Sequence, residues 1–337
     1  MHSPMWKAFS LRRPVRQHSL FLLALAALAL SGAAPRTSEA GKAHDTVTQI
    51  FAFGDSYTDN GVKLNLSAKA VAAGVPNAVV MPNPKLYYQG RYSNGPVAVE
   101  DLADKLHVKL TDYAVGGAMS GDQNYESWMD DYTATGLQAQ VASFRHDLGG
   151  LRADPHALYV VAISANDYFK FVDFAQPGTL LVGTQTPATI QDMADRAAEN
   201  TALAVHRLAK LGARRFLVSE SFDLKGLPYI LSAGQSNIAD AFATRYNARL
   251  QETLHATEVT DGLSIRLFDW GGKTREIIDN AARYGITNTT DACEVTFPVP
   301  QPACATPDAY LFWDEYHPSR RAHQILAGMM EQLVRHG

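Results

Sequence analysis

Cysteine is scarce in this chain, with only Cys293 and Cys304 among 337 residues. Charge is sparse as well: Asp, Glu, Lys and Arg make up 19% of the chain, and the formal net charge is −4. Beyond the first few dozen residues no basic residues cluster, so the electrostatic footprint of a nucleic-acid binder is missing. No apolar run reaches the ~20 residues needed to span a bilayer. The most apolar stretch, Leu20 to Leu30, falls well short. No repeat, low-complexity tract or linker-like composition break is present, and neither common phosphate-cradling loop occurs. A single domain with sizeable loops is therefore expected.

The N-terminus has the pattern of a secretory signal peptide. Lys7, Arg12, Arg13 and Arg16 precede the apolar run, and small residues follow at Ala33-Ala34 and Ser38-Glu39-Ala40. Cleavage after Ala34 would set Pro35 beside the cut, so a cut near Ala40 is expected, giving a leader of 1–40 and a domain of 41–337. No Cys follows the apolar run, which argues against a lipid anchor. Removing the leader takes away five basic residues against one acid, so the mature chain is more acidic than the whole. A secreted or periplasmic location follows as the expectation. In that oxidising setting Cys293 and Cys304 are expected to form a disulfide, the alternative being two free thiols. Closing so short a loop stabilises by roughly 3 kcal/mol in the chain-entropy account. Pro298, Pro300 and Pro302 stiffen it further, and Val295, Phe297 and Val299 suggest an apolar wall.

Hydrophobic periodicity predicts alternating strands and helices. Strands are expected at Thr48–Phe53, Lys109–Val115, Ala157–Ile163, Arg215–Ser219 and Ser264–Phe268. Helices are expected at Pro96–Leu106, Leu137–Leu148, Ile190–Leu211, Asn237–His255 and Arg275–Tyr284, with a last one starting at Pro318. The stretch Ala157–Ile163 is continuously apolar, as in a parallel strand covered on both faces. This alternation predicts an α/β fold with a doubly wound, mostly parallel sheet and helices on both faces. Ligands bind beyond the carboxyl ends of the strands in such sheets. Ser56, Gly117 and Asn166 each closely follow a predicted strand.

The chemistry-bearing residues lie at opposite ends of the chain. Ile50-Phe51-Ala52-Phe53 leads through Gly54-Asp55 to Ser56, a serine just past a strand end. Taken alone, such a serine more often caps a helix or hydrogen-bonds its turn. Near the other end, Asp314-Glu315-Tyr316-His317-Pro318 places an acid and an imidazole three residues apart. A serine hydroxyl needs a base during attack, and a carboxylate holds that base in the right tautomer. Asp55, Asp59 and Asp167 are read as ties to their own turns. A metal set of Asp314, His317 and His323 does not match the i, i+4 spacing of ligands on one helix face.

Four separated blocks resemble the GDSL family of esterases and lipases, also called SGNH hydrolases. They are Gly54-Asp55-Ser56 with Tyr57-Thr58-Asp59-Asn60-Gly61, Tyr113-Ala114-Val115-Gly116-Gly117-Ala118, Ser164-Ala165-Asn166-Asp167, and Asp314 to Pro318. Gly90-Arg91-Tyr92-Ser93-Asn94-Gly95-Pro96 is similar to a segment of the branch holding secreted phospholipases and lecithinases. The chain departs from the pattern at Asp112, where the family has Asn, and at Ser164, where it has Gly. The resemblance implies a flavodoxin-like strand order and a secreted serine ester hydrolase without cofactor. It implies Ser56 as nucleophile, His317 as base and Asp314 as its orienter. The oxyanion donors would be the backbone N–H of Ser56, that of Gly117 and the side-chain amide of Asn166. Lipid or phospholipid esters are the first expectation for substrate and acetylated carbohydrate the second. An inactive scaffold used for binding is the reading from another class. No Gly-x-Ser-x-Gly elbow occurs, which argues against the larger α/β-hydrolase fold.

Overall fold

The computed structural model describes residues 47–174, 189–296 and 299–336. The expected leader, Phe297 and Pro298 lie outside the described residues. In chain order the elements are β1 (Gln49–Gly54), α1 (Val62–Ala72), α2 (Ala98–Leu106), β2 (Lys109–Asp112), α3 (Ser127–Tyr132), α4 (Leu137–Asp147), β3 (Leu158–Ala162) and α5 (Ala165–Phe174). There follow α6 (Ile190–Leu211), β4 (Arg215–Ser219), α7 (Pro228–Ser232), α8 (Ser236–Asp261), β5 (Ser264–Phe268), α9 (Trp270–Asp279), β6 (Asn288–Ala292), β7 (Tyr310–Phe312) and α10 (Arg320–His336).

Strands β1 to β5 form one sheet in the order β2-β1-β3-β4-β5, with every neighbouring pair parallel. This is the flavodoxin-like order, and its direction reverses between β1 and β3. Every residue of β3 is buried, so helices cover both faces of the sheet. One group packs α10 against α2 and α9; the other packs α6 against α4, α5 and α8. The contact face of α6 is rich in alanine (Ala194, Ala197, Ala198, Ala202, Ala204, Ala209). Small side chains there let the neighbouring helices approach closely. Its start is set by a capping box, with Thr189 Oγ1 accepting from Asp192 N and Asp192 Oδ2 from Thr189 N, both at 3.1 Å.

Several elements depart from the periodicity. Helix α1 was not expected. It starts because the Asp59 carboxylate accepts the backbone N–H groups of Gly61, Val62 and Lys63, which an isolated helix would leave unpaired. Helix α9 begins five residues earlier than expected, at Trp270, because Asp269 Oδ1 caps Gly272 N at 2.6 Å. Helix α10 begins after Ser319, whose Oγ accepts from Ala322 N at 3.3 Å. The short parallel pair β6–β7 was also unexpected, since its strands are too short and polar to show a period.

Candidate active site

Three neighbouring strands deliver the expected residues to one edge. Ser56 lies just past the end of β1, Gly117 follows β2, and Asn166 follows β3. The strand order therefore puts Ser56 between the other two, beside the topological reversal. The end of β1 is held by a side chain far along the chain. Gln140 Oε1 accepts Gly54 N at 2.9 Å, and Gln140 Nε2 donates to Gly54 O at 2.8 Å. Glycine is required at 54, since a Cβ there would collide with the Ala162 carbonyl of β3. Beyond it the chain turns at once, with Thr58 N and Asp59 N both donating to Asp55 O. That turn presents the Ser56 hydroxyl at the sheet edge.

His317 arrives from the far end of the chain, in the 313–318 turn after β7. Trp313 N donates to His317 O at 2.8 Å, which closes the turn. The imidazole Nε2 lies 2.8 Å from Ser56 Oγ, and Nδ1 lies 2.9 and 2.8 Å from the two oxygens of Asp314. A proton on Nδ1 leaves Nε2 free to accept from the Ser56 hydroxyl. Asp314 is buried and accepts further bonds from the backbone N–H of Tyr316 (2.8 Å) and His317 (2.7 Å), and from the Tyr87 hydroxyl (2.6 Å). Burial alone would raise its pKa. The His317 charge and the hydrogen bonds from His317, Tyr87 and Tyr316 outweigh it and hold the carboxyl below its usual value.

Gly117 has φ +78°, and a Cβ there would run into Asn124 Oδ1 and Glu126 Oε2. Those two oxygens share one buried cation: Lys63 Nζ donates to Asn124 Oδ1 at 3.1 Å and to Glu126 Oε2 at 2.9 Å. The preceding peptide is fixed from both sides, since Gly116 N donates to Asp59 Oδ2 (2.7 Å) and Gly116 O accepts from Asn124 Nδ2 (3.1 Å). Among the described residues no acceptor takes the backbone N–H of Gly117 or Ser56. Asn166 sits in the first turn of α5 and donates one amide hydrogen to Ala118 O at 3.0 Å, which leaves its second. Ser56, Gly117, Asn166 and His317 all line one cavity of about 250 Å³. Its walls carry Tyr87, Tyr92, Tyr125, Phe169 and Tyr316.

The other expected residues are placed as follows. Cys293 and Cys304 are disulfide-bonded. The loop they close reaches the cavity through Thr296, which donates from N and Oγ1 to the Glu315 carboxylate. Of the expected wall residues, Val299 is exposed, Val295 is half-buried and Phe297 lies outside the described residues; among the described residues the cavity's apolar lining is mainly aromatic. Asp59 bridges two blocks, holding α1 and Gly116 together. Asp167 accepts from its own backbone N–H and also grips Ser120 N and Oγ in the loop beyond Gly117, so it ties two segments together. His323 is buried, with Nδ1 accepting from Ala98 N. The two departures from the family pattern fit their places. Asp112 accepts from Asn60 N and Ala114 N. At 164 the backbone does not need glycine, since among the described residues only Asn77, Gln89 and His107 have positive φ without being glycine.

Sequence reasoning missed Tyr87, Gln140, Lys63 and Asn124. No local pattern marks them, because each acts on a residue 61 or more positions away or on a backbone group. Tyr87 makes a charge-assisted bond to Asp314, so Tyr87→Phe should lower kcat/KM about tenfold on a soluble chromogenic ester. The same change in an Asp314→Asn background should cost little more, because the hydroxyl acts through that carboxylate. An additive loss in the double variant would place Tyr87 elsewhere in the mechanism.

Asp55, next to Ser56, is buried, and its Oδ2 has no hydrogen-bond partner. Burial pushes its pKa up to about 7, although the backbone N–H of Tyr57 and Ser164 and the His317 charge oppose the rise. Below pH ~4 the group is protonated whether folded or unfolded and contributes nothing. Between pH ~4 and 7 the unfolded chain ionises first, so stability falls as pH rises, and the penalty is complete above 7. Asn at 55 does not titrate. Asp55→Asn should therefore gain stability over wild type as pH rises from 4 to 8, by at most about 4 kcal/mol. Urea midpoints at the two ends of that range test this, and an advantage that shrinks with pH would contradict it.

The family described as GDSL-like Lipase/Acylhydrolase matches residues 50–328. A GDSL esterase/lipase of Arabidopsis thaliana is 27% identical, covering 82% of this chain and 85% of its own length. The thermolabile hemolysin of Vibrio parahaemolyticus is 24% identical over 87% of this chain and 65% of its own length. The phosphatidylcholine-sterol acyltransferase of Aeromonas hydrophila is 25% identical over 78% of this chain and 70% of its own length.

Proposed function

The chain belongs to the GDSL-like lipase/acylhydrolase family, and from that premise we propose a secreted serine ester hydrolase that acts on lipid esters through an acyl-enzyme on Ser56. The observation that carries this reading is the unbroken chain Ser56 Oγ–His317 Nε2–Nδ1–Asp314 opening into an aromatic-lined cavity. His317 Nε2 takes the hydroxyl proton as Ser56 Oγ attacks the ester carbonyl. The carbonyl oxygen becomes an oxyanion within reach of the N–H groups of Ser56 and Gly117 and the spare amide hydrogen of Asn166. His317 then gives its proton to the leaving alcohol as the acyl-enzyme forms. Water, activated by the same imidazole, releases the acid.

Support for a lipid substrate comes from the aromatic walls of the cavity and from a relative named for phosphatidylcholine. The leader pattern and the disulfide support export. Labelling with a fluorophosphonate, followed by a panel of lipid esters, lysophospholipids and acetylated sugars, tests the reading. Labelling at Ser56 with turnover of lipid esters supports it. Turnover of acetylated sugars alone would replace the substrate while keeping the chemistry. A protein that neither labels nor turns over would be a binding scaffold.

Asn166→Ala should lower kcat by roughly 100-fold with little change in KM, since an oxyanion contact strengthens mainly in the transition state. A pure KM effect would make Asn166 a substrate-binding group.

A further inference from the structure

One stretch of the sequence differs from the rest. Between Asp59 and Glu100 there is no acidic residue, although the chain as a whole is net negative. From Ala70 to Pro84 there is no charge at all, and Lys69 and Lys85 bound this run at either end. The structure gathers it beside the active site. Ser67 Oγ accepts from Met81 N at 2.9 Å and lies 3.0 Å from Met81 O, which pins the loop to α1 one turn before Val71. Val71, Val79, Val80 and Tyr88 are 43%, 53%, 39% and 41% exposed. They are four of the ten exposed large apolar side chains among the described residues. Met81 and Tyr87, in the same stretch, line the catalytic cavity. Lys69 and Lys85 are exposed at its ends.

Exposed apolar side chains adjoining residues that line a cavity, as Val80 adjoins Met81 and Tyr88 adjoins Tyr87, are the kind of feature that marks an interaction surface. Its charge pattern selects the partner. Pairing with a second copy through the same face would set lysines against lysines, since a two-fold contact repeats the patch on both sides. A lipid surface with anionic head groups takes both components: the apolar side chains enter the acyl boundary while the lysines meet phosphates. The stretch itself carries no carboxylate to repel such a surface, and the acids that line the cavity, Glu126, Asp173 and Asp314, come from other segments. We propose that Val71, Val79, Val80 and Tyr88, flanked by Lys69 and Lys85, form a lip that docks the protein on an anionic lipid surface and brings the cavity mouth against it. The proposal rests on the lipid-ester reading above.

Sedimentation with vesicles tests the lip without turnover, in the Ser56→Ala protein. Vesicles of phosphatidylcholine with phosphatidylglycerol, and of phosphatidylcholine alone, are the probes. The Ser56→Ala protein should bind the mixed vesicles more tightly. Adding Val79→Ser with Val80→Ser should weaken partitioning about tenfold or more. Adding Lys69→Gln with Lys85→Gln should abolish the preference for the mixed vesicles while leaving weaker binding to the neutral ones. In the active protein, Val79→Ser with Val80→Ser should leave kcat/KM on a monomeric acetate ester unchanged and reduce turnover of vesicle-borne esters. Absence of vesicle binding, or equal partitioning by all variants, overturns the proposal. So does a serine variant whose only change is loss of a dimer, which would make the lip a self-association face. If the wild type cleaves no lipid ester, the substrate reading fails, yet the vesicle measurement still decides the lip on its own.

Discussion

Ser56→Ala is expected to lower kcat on any ester substrate by roughly a millionfold while leaving the fold intact. Ser56 Oγ is the hydroxyl that His317 Nε2 contacts at 2.8 Å, and the scaffold around it does not depend on the side chain. Backbone bonds to Asp55 O form the turn, and Gln140 holds Gly54. The cavity, the N–H groups of Ser56 and Gly117 and the Asn166 amide also remain, so the variant should still bind a non-hydrolysable ester analogue. Fluorophosphonate labelling should vanish with the activity. A well-folded Ser56→Ala protein that retains near-wild-type turnover would falsify the acyl-enzyme.

His317→Ala should be nearly as damaging, because the hydroxyl then has no base. Asp314→Asn should cost less, about ten-thousandfold in kcat. The structure gives the reason. An asparagine Oδ1 at 314 still accepts the N–H groups of Tyr316 and His317, so the turn survives. Its Nδ2 donates where a carboxylate oxygen accepted from His317 Nδ1 and the Tyr87 hydroxyl, which favours the wrong imidazole tautomer. The double variant should be little worse than His317→Ala alone, since the two residues act as a unit. Losses that multiply would show that Asp314 works independently of His317. The lowered pKa of Asp314 sets the sign of its effect on stability. Its charge stabilises the fold above the ordinary carboxyl range, and that contribution is lost only as pH falls through its depressed folded value.

The fold class was legible because its signals are local. The apolar run of β3 and the alternation of strands with helices follow from side-chain period and burial, and three elements (α6, β4 and β5) begin and end where the periodicity sets them. Helix α1 was hidden, because its start depends on a carboxylate that also binds Gly116 in another block. The roles of Ser56, Asp314 and His317 were expected from the resemblance of four separated blocks to a known family, since residue type and short-range spacing alone left a turn serine and a helix-capping acid open. Their meeting was not legible in that spacing, since Ser56 and His317 are 261 residues apart and only the sheet edge and the 313–318 turn bring them to 2.8 Å.

Tertiary structure alone decided the supports. Tyr87 reaches Asp314 across 227 residues, and Gln140 serves as an extra strand partner for Gly54. Lys63 is buried where two acceptors, Asn124 and Glu126, crowd Gly117. None of these has a sequence pattern, because a long-range hydrogen bond constrains where two atoms meet and leaves the residues between them free. The same reasoning applies to the disulfided loop. Its composition suggested an apolar wall; among the described residues Val299 faces solvent, Thr296 reaches the cavity, and the aromatic side chains that line it come from several separate segments. Composition determined that this chain had apolar groups to bury and reactive side chains to place; the packing of distant segments determined which of those groups face the cavity.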